Sequence, residues 1–216
     1  GAVNGIKGVI SGHYVDLTDV LASPEQLDLL CHTPSAALGS CRLKLNNADE
    51  SQLKEIVDAL IEREIGYFVY IGGNDSMDTI KKLSDYAIVT GYRTRFIGCP
   101  KTIDNDLALT DHTPGYGSAA KYIGTSVKEI IRDSFCLEYG KGLVSIVEIM
   151  GRNAGWLTGA AALAKGEDCL GPDLIYLPEL PFDIEAFSEK VKDLLAKKPS
   201  VVVAVSEGIR LADGRY

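Results

Sequence analysis

The segment 98–106 places a high density of reactive side chains directly after a short apolar run. Within six residues it carries one ammonium, one hydroxyl and two carboxylates, namely Lys101, Thr102, Asp104 and Asp106. A loop that only connects two elements rarely needs so many opposed charges, whereas binding and catalytic residues are concentrated in loops. Such a segment could accept a proton from a hydroxyl and steady a phosphate at the same time. It is therefore the first candidate for a functional site.

A second candidate is the glycine-rich segment 72–76, which reads Gly-Gly-Asn-Asp-Ser and follows the apolar run 67–71. A turn between a strand and a helix N-terminus exposes backbone N–H groups and the positive end of the helix, which suits phosphate. Paired glycines also make ordinary tight turns. Asn74 and Asp75 are good helix caps as well, so this alternative stays open.

Strand-like and helix-like segments alternate along the chain. The clearest helix is 46–64, with Asn47 or Asp49 as its cap and apolar residues at the helical period. The segment 1–12 is expected to form a loop with a short strand. Further strands are expected at 67–71, 87–89, 95–98, 143–149, 175–178 and 201–205. This alternation predicts an α/β fold with mostly parallel sheets flanked by helices.

In parallel α/β folds, ligands bind beyond the carboxyl ends of the strands. Polar sequences follow four of the expected strands, at 72–75, 101–106, 150–152 and Glu207. Stability alone does not explain polar clusters at four strand ends, so one shared site is expected. The charged residues of that site would be Lys101, Arg152, Asp75, Asp104, Asp106 and Glu207.

These residue types are suited to phosphoryl transfer to an alcohol. Arginine clamps phosphate with two hydrogen bonds, and lysine offers a compact positive charge. Carboxylates hold Mg²⁺, bind sugar hydroxyls or accept a proton, so the set provides positioning, charge neutralisation and a base. A Ser–His hydrolase is disfavoured because none of the three histidines lies in these loops. An oxidoreductase is disfavoured because the chain lacks the GxGxxG motif.

The composition narrows the class of protein further. The net charge of -8 argues against a nucleic-acid partner, whose binding surfaces are usually basic. No apolar run reaches the roughly 18 residues that a membrane-spanning helix needs. The five cysteines have no CxxC spacing, which is typical of reduced thiols in a cytoplasmic protein and not of a zinc site.

Taken together, the candidate loops resemble the motifs of the 6-phosphofructokinase family. The matching segments, in the family's order and spacing, are 72–76, 100–106 (Pro-Lys followed by TIDND), 150–152 (Met-Gly-Arg) and 206–208 (Ser-Glu-Gly). The turn 38–42, Leu-Gly-Ser-Cys-Arg, is similar to the family segment that supplies an arginine to the transferred phosphate. The resemblance covers essentially the whole chain.

The resemblance implies a fold and a division of labour. The fold would be phosphofructokinase-like, with mostly parallel sheets flanked by helices in two similar subdomains. Residues 1–118 would bind the phosphoryl donor and residues 119–216 would bind fructose 6-phosphate. The family's N-terminal GGDxPGxN-type loop and its C-terminal Arg and His segments are absent. The chain is therefore expected to be an internal piece that is inactive, or nearly so, by itself.

The resemblance also implies a role for each matching residue. Asp104 would be the base that accepts the proton of the sugar 1-hydroxyl, and Lys101 and Arg42 would neutralise charge on the phosphoryl groups. The fructose 6-phosphate contacts would be Thr102, Ile103, Asp104, Asp106, Met150, Gly151, Arg152 and Glu207. The donor contacts would be Gly72, Gly73, Asp75, Ser76 and Lys101. Mg²⁺ would be the cofactor, with Asn74 and Asp75 as candidate ligands.

Two positions indicate the phosphoryl donor. ATP-using members of the family have glycine in place of Asp75 and usually glycine in place of Lys101, whereas diphosphate-using members have an acid and a lysine. An aspartate side chain would occupy the space of a nucleotide α-phosphate, and its negative charge would repel that phosphate. The resemblance therefore implies diphosphate-dependent phosphorylation of fructose 6-phosphate. An ATP-dependent 6-phosphofructokinase and a catalytically silent sugar-phosphate-binding subunit remain as alternatives.

Two further positions depart from the family pattern. Asn74 stands where members commonly place an aspartate near Mg²⁺, and an amide oxygen is a weaker ligand. Leu143 stands where many members have an arginine that crosses a subunit interface to the sugar phosphate. The family implies a homo-oligomer, a dimer or higher, and Leu143 argues against copying one particular interface.

Overall fold

The computed structural model describes residues 1–43, 45, 50–137 and 140–216. It consists of two compact units, Gly1–Pro100 (unit 1) and Lys101–Tyr216 (unit 2). The expected boundary between residues 118 and 119 falls further along the chain, inside the helix Tyr116–Cys136. The assignment of donor and sugar subdomains stays a prediction.

Unit 1 contains a short parallel sheet covered by helices. Its elements are α1 (Ile6–Ser11), α2 (Leu17–Val20), α3 (Pro24–His32), α4 (Glu50–Glu62), β1 (Tyr67–Gly72), α5 (Asn74–Thr90) and β2 (Arg95–Pro100). The two strands pair in parallel with Gly72 opposite Pro100, so both carboxyl ends lie at one edge. The core consists of Ile6, Val9, Leu45, Ile56, Val57, Leu60 and Leu83.

Two predictions for unit 1 are wrong. The segment 1–12 contains α1 instead of a strand, because Ile6 and Val9, three residues apart, are both fully buried on one helix face. The segment 87–89 is the end of α5 instead of a strand. Its Ile88 and Val89 are 76% and 85% exposed, and only Ala87 continues the buried face. The predicted caps Asn47 and Asp49 lie outside the described residues.

Unit 2 is built on a three-stranded parallel sheet. Its elements are α6 (Tyr116–Cys136), β3 (Leu143–Ile149), α7 (Trp156–Gly159) with a following 3₁₀ turn (Ala160–Ala164), β4 (Leu174–Tyr176), α8 (Ile184–Leu195) and β5 (Ser200–Ser206). The strand order is β3-β5-β4. Val201, Val202, Val203 and Ala204 of the central strand are all buried, as expected for a strand covered on both faces. The apolar core joins α6 and α7 to the sheet through Val127, Leu157, Ile149 and Ala204.

The α/β class with parallel sheets and flanking helices is therefore confirmed. Each strand that precedes a candidate loop exists, and Ile149 of β3 lies opposite Ser206 of β5 in the parallel register. In the described ranges, no helix is long and apolar enough to cross a membrane.

Candidate functional site

The candidate loops are divided between the two units: 72–76 belongs to unit 1, and 101–106, 150–152 and 206–208 belong to unit 2. One site shared by all of the loops stays a prediction.

In unit 1, three of the predicted residues line one cavity of about 410 Å³. They are Arg42, Asp75 and Ser76, and the other lining residues are Cys41, Leu43, Tyr70 and Thr79. The cavity thus brings the arginine of the 38–42 turn together with the first turn of α5. A cation and helix N–H groups around one cavity are a suitable environment for phosphate oxygens.

The glycine turn determines how Ser76 sits at the end of β1. A Cβ atom on Gly72 would lie 2.1 Å from the Ser76 hydroxyl oxygen, so no other residue fits there without moving that side chain. The N-cap of α5 is Gly73, a residue without a side chain that could cap the helix. The alternative in which Asn74 or Asp75 serves as the helix cap is therefore wrong. Asp75 lies in the first turn, where a carboxylate interacts favourably with the helix dipole.

Tyr70 lines the same cavity and was not predicted as a site residue. Burial raises the pKa of its phenol, and the adjacent Cys41 thiol adds to this, while a hydrogen bond from Ser76 acts in the opposite direction. Its hydroxyl therefore lies between the arginine turn and the first turn of α5. Because Tyr70 lies inside an apolar strand, nothing in the sequence indicated that it would line the cavity.

In unit 2, the shape of the loop 101–106 depends on three hydrogen bonds made by the side chains of Thr102 and Asn105. Asn105 is only 7% exposed and has a left-handed backbone with φ of 58°. Its amide nitrogen donates to the carbonyl of Asp111 at 3.1 Å, and its amide oxygen accepts from the N–H of Thr113 at 2.9 Å. The Thr102 hydroxyl accepts from the N–H of Asp104 at 3.0 Å. The Thr102 side chain thus fixes the N–H of Asp104, and the Asn105 side chain anchors the next residue.

Burial raises the pKa of Asp104, and the negative charges of Asp106 and then Glu207 raise it further. Lys101 acts in the opposite direction. Unit 2 therefore brings together the four charged residues that the sequence places in the loops 101–106 and 206–208. One oxygen of Asp104 and one of Asp106 are buried without a hydrogen-bond partner in the part of the chain that is described. Buried polar atoms are nearly always satisfied, so these two oxygens are available to hydrogen-bond a substrate or a water molecule.

The loops 150–152 and 206–208 are joined at the ends of neighbouring strands. The N–H of Gly151 donates to a carboxylate oxygen of Glu207 at 3.1 Å, and the N–H of Glu207 donates to the carbonyl of Ile149 at 2.9 Å. Glu207 is thereby oriented beside the Met-Gly-Arg turn, and its role in sugar binding stays a prediction. The Met150 side chain is 56% exposed.

Ile103 is the member of the predicted sugar site with an apolar contact. Its Cγ2 lies 3.1 Å from the position of a Cβ atom on Gly115, the residue before α6. The side chain thus packs beside the start of α6 and helps to position the loop 101–106.

The described residues do not form a metal site by themselves. Among the described residues, no three His, Cys, Asp or Glu side chains lie close enough to hold an ion. Mg²⁺ in phosphoryl-transfer enzymes is usually held by one or two carboxylates together with substrate phosphates, so this donor set still fits the ion.

A model of the phosphofructokinase family matches residues 1–215 of the chain. The chain belongs to the phosphofructokinase family. A pyrophosphate–fructose 6-phosphate 1-phosphotransferase from Rhodospirillum rubrum is 44% identical over 214 residues, which are 99% of this chain and 51% of that protein. An ATP-dependent 6-phosphofructokinase 2 from Clostridium perfringens is 34% identical over 166 residues, or 76% of this chain and 39% of that protein.

The structural comparison agrees with this membership. The crystal structure of a pyrophosphate-dependent phosphofructokinase from Nitrosospira multiformis superposes with a TM-score of 0.86 at 37% identity. The match covers 99% of this chain and 52% of that one. The phosphofructokinase-like fold is therefore confirmed. This member of the family spans about half the length of the relatives that it matches.

Two residues of this phosphofructokinase chain support the site without having been predicted. Asn105 lies within the TIDND motif, and Ser206 precedes Glu207 at the end of β5. Asparagine favours turns and tolerates a left-handed backbone, so its residue type was a local signal for this position. Ser206 had no such signal, since its hydroxyl contacts Gly151, which is 55 residues away in the chain.

Proposed function

We propose that this protein is a diphosphate–fructose 6-phosphate 1-phosphotransferase. It transfers a phosphoryl group from diphosphate to the 1-hydroxyl of fructose 6-phosphate and forms fructose 1,6-bisphosphate, a reversible step of glycolysis. The observation that carries the proposal is the environment of Asp104. One of its carboxylate oxygens is buried with no hydrogen-bond partner among the described residues, and burial and the surrounding charges raise its pKa.

Asp104 is the general base. A carboxylate whose pKa is raised holds a proton more strongly, so it is a better acceptor for the proton of the attacking hydroxyl. The neighbouring charges of Asp106 and Glu207 produce part of that increase. Lys101 lowers the pKa of Asp104 and so favours the ionised form that a base needs.

The sugar phosphate is bound by unit 2. Arg152 supplies a guanidinium for the 6-phosphate, and Glu207 accepts hydrogen bonds from sugar hydroxyls. The Thr102 oxygen already accepts from Asp104, so its hydroxyl hydrogen is left to donate to the substrate. The remaining sugar contacts are Ile103, Asp106, Met150 and Gly151.

Diphosphate is bound by the cavity of unit 1, and Lys101 stays a predicted donor contact. Gly72, Gly73 and Ser76 present backbone and hydroxyl groups to its oxygens, and Arg42 stabilises the phosphoryl group in transfer. Asp75 excludes a nucleotide by repelling its α-phosphate, and Lys101 balances the charge of the leaving phosphate. The name of the Rhodospirillum rubrum relative, which includes pyrophosphate, supports this choice.

Mg²⁺ is the proposed cofactor, because it would neutralise charge on the diphosphate. Asp75 would hold it as the carboxylate ligand, and Asn74 would contribute at most an amide oxygen. One oxygen of Asp104 and one of Asp106 have no hydrogen-bond partner among the described residues, so they are available to the sugar.

Donor specificity tests the proposal. The complete protein is given fructose 6-phosphate, Mg²⁺ and either diphosphate or ATP, and fructose 1,6-bisphosphate is measured. We expect strong turnover with diphosphate and little with ATP. Efficient turnover with ATP alone would favour the alternative represented by the Clostridium perfringens relative. Sugar-phosphate binding without turnover by either donor would favour a silent subunit.

The setting of the enzyme follows from the same proposal. It would act in the cytoplasm as a homo-oligomer, a dimer or higher, on small-molecule substrates and without a nucleic-acid or membrane partner. Light scattering on the complete protein measures the subunit number directly.

A further inference from the structure

We infer that Ser206 is a positioning residue for the sugar-phosphate side of the site, because its buried hydroxyl fastens the loop 150–152 to the loop 206–208. The inference rests on the proposed function, since Arg152 and Glu207 are sugar-phosphate contacts only under that proposal. Ser206 itself would not touch the substrate.

The Ser206 hydroxyl makes two hydrogen bonds at the end of β5. It donates to the carbonyl of Gly151 at 2.7 Å and accepts from the N–H of Gly208 at 3.0 Å. The residue is only 1% exposed, so water does not replace these bonds easily. Without the hydroxyl, a buried carbonyl and a buried N–H would each lose a partner, which is costly.

Both backbone groups of Gly151, its N–H and its carbonyl, form hydrogen bonds with the 206–208 segment. Its carbonyl accepts from Ser206, and its N–H donates to the carboxylate of Glu207. Its φ of 128° lies in the region that favours glycine, so the surrounding contacts must maintain this conformation. Loss of the Ser206 bond would therefore release the peptide that orients Glu207.

The Ser206 hydroxyl also affects Arg152, because it binds Gly208, which lies against the Arg152 backbone. A Cβ atom on Gly208 would lie 1.9 Å from the carbonyl oxygen of Arg152, so the two backbones are in close contact. Ser206 holds the N–H of Gly208 in this place. One hydroxyl thus determines the backbone positions of both proposed sugar-phosphate contacts, Arg152 and Glu207.

Asp104 is held independently of this fastening. Its loop is anchored by Thr102 and by the contacts of Asn105 with Asp111 and Thr113. Removal of the Ser206 hydroxyl should therefore weaken sugar binding more than it slows the chemical step. A residue that contributed only to stability would change neither KM nor kcat per folded molecule.

The test is steady-state kinetics of Ser206→Ala in the complete protein. We expect the KM for fructose 6-phosphate to rise about tenfold, the change that one lost buried hydrogen bond produces, while kcat and the KM for diphosphate change by less than about threefold. Ser200→Ala is the matched control, because Ser200 is a serine at the other end of β5 whose side chain makes no hydrogen bond to a described residue. An unchanged fructose 6-phosphate KM in Ser206→Ala overturns the inference.

Two additions keep the result decisive. If Ser206→Ala does not fold, Ser206→Cys retains the volume with a weak donor and should show the same rise in KM. Amide hydrogen exchange of residues 150–155 should be faster in the variant than in Ser200→Ala, and equal exchange overturns the inference without any use of activity. If the unmodified protein turns over no fructose 6-phosphate, the proposed function fails instead, and hydrogen exchange still decides the role of Ser206.

Discussion

The amide oxygen of Asn105 accepts a hydrogen bond from the N–H of Thr113 at 2.9 Å, which ties the loop of the proposed base to the start of α6. The amide nitrogen of the same side chain donates to the carbonyl of Asp111. The geometry of Asp104 therefore depends on a neighbour that does not itself need to touch a substrate.

Asn105→Ala is expected to lower both stability and turnover. It removes two buried hydrogen bonds and leaves an alanine in a left-handed conformation, which together should cost about 2–4 kcal/mol. We expect kcat to fall at least about tenfold, because small misplacements of a catalytic group are costly. Thermal unfolding and steady-state kinetics measure the two effects.

Asn105→Gly separates the two causes of that loss. Glycine accepts the backbone conformation but makes neither hydrogen bond. If backbone strain were the whole effect, the glycine variant would behave like the unmodified protein, and the contribution assigned to the hydrogen bonds would be wrong.

The pH dependence of turnover should report Asp104. The base must be ionised, so activity rises with pH through its elevated pKa. Lys101 lowers that pKa, so Lys101→Met should move the acidic limb of the kcat/KM profile to higher pH. Asp106 raises it, so Asp106→Asn should move the limb to lower pH. Shifts in the same direction for both variants would contradict the assignment of Asp104 as the titrating base.

Asp104→Asn should exchange activity for stability. Because the pKa of Asp104 is raised by folding, its ionised form opposes the folded state, and this penalty grows as pH rises through the folded-state pKa. The amide carries no charge, so we expect a higher melting temperature at neutral pH and little difference in acid. Loss of the base should lower kcat by about 10²–10⁴ with fructose 6-phosphate affinity retained. Retained activity would remove Asp104 from its role.

The strands and their loops could be predicted because they depend on local pattern. The β-branched run that ends at Val205 predicted a buried central strand, and β5 is one. The strand predicted at 87–89 was wrong because three adjacent apolar residues are compatible with either a strand or a helix. Only the burial of Ala87 on the same face as Ile80 and Leu83 identifies α5.

The charged residues of the candidate site could be predicted because they directly follow strands. The hydrogen bonds that position these residues were harder to predict. The charges that surround Asp104 are those of the predicted loops. The Ser206–Gly151 bond instead joins residues that are far apart in the chain, and it depends on β3 and β5 being neighbours. Strand order is a property of the tertiary fold, which no local motif specifies.

Gly72→Ala should weaken the donor side alone. The new methyl group would displace the Ser76 hydroxyl from the end of β1, so the KM for diphosphate should rise about tenfold while the KM for fructose 6-phosphate stays unchanged. Gly66→Ala is the control, because a Cβ atom there meets no described atom within 4 Å. Equal kinetics of the two variants would exclude the glycine turn from donor binding.

The choice of donor should depend on Asp75 and Lys101 together. In the double variant Asp75→Gly/Lys101→Gly, the repulsion of a nucleotide α-phosphate and the balancing charge for a leaving phosphate are both removed. We expect the kcat/KM for diphosphate to fall at least about a hundredfold, the scale of a lost charged contact, and ATP to support measurable turnover. The single variant Lys101→Gly should lose diphosphate use without gaining ATP use, since Asp75 remains. If the double variant still prefers diphosphate by the original margin, donor choice lies elsewhere in the protein.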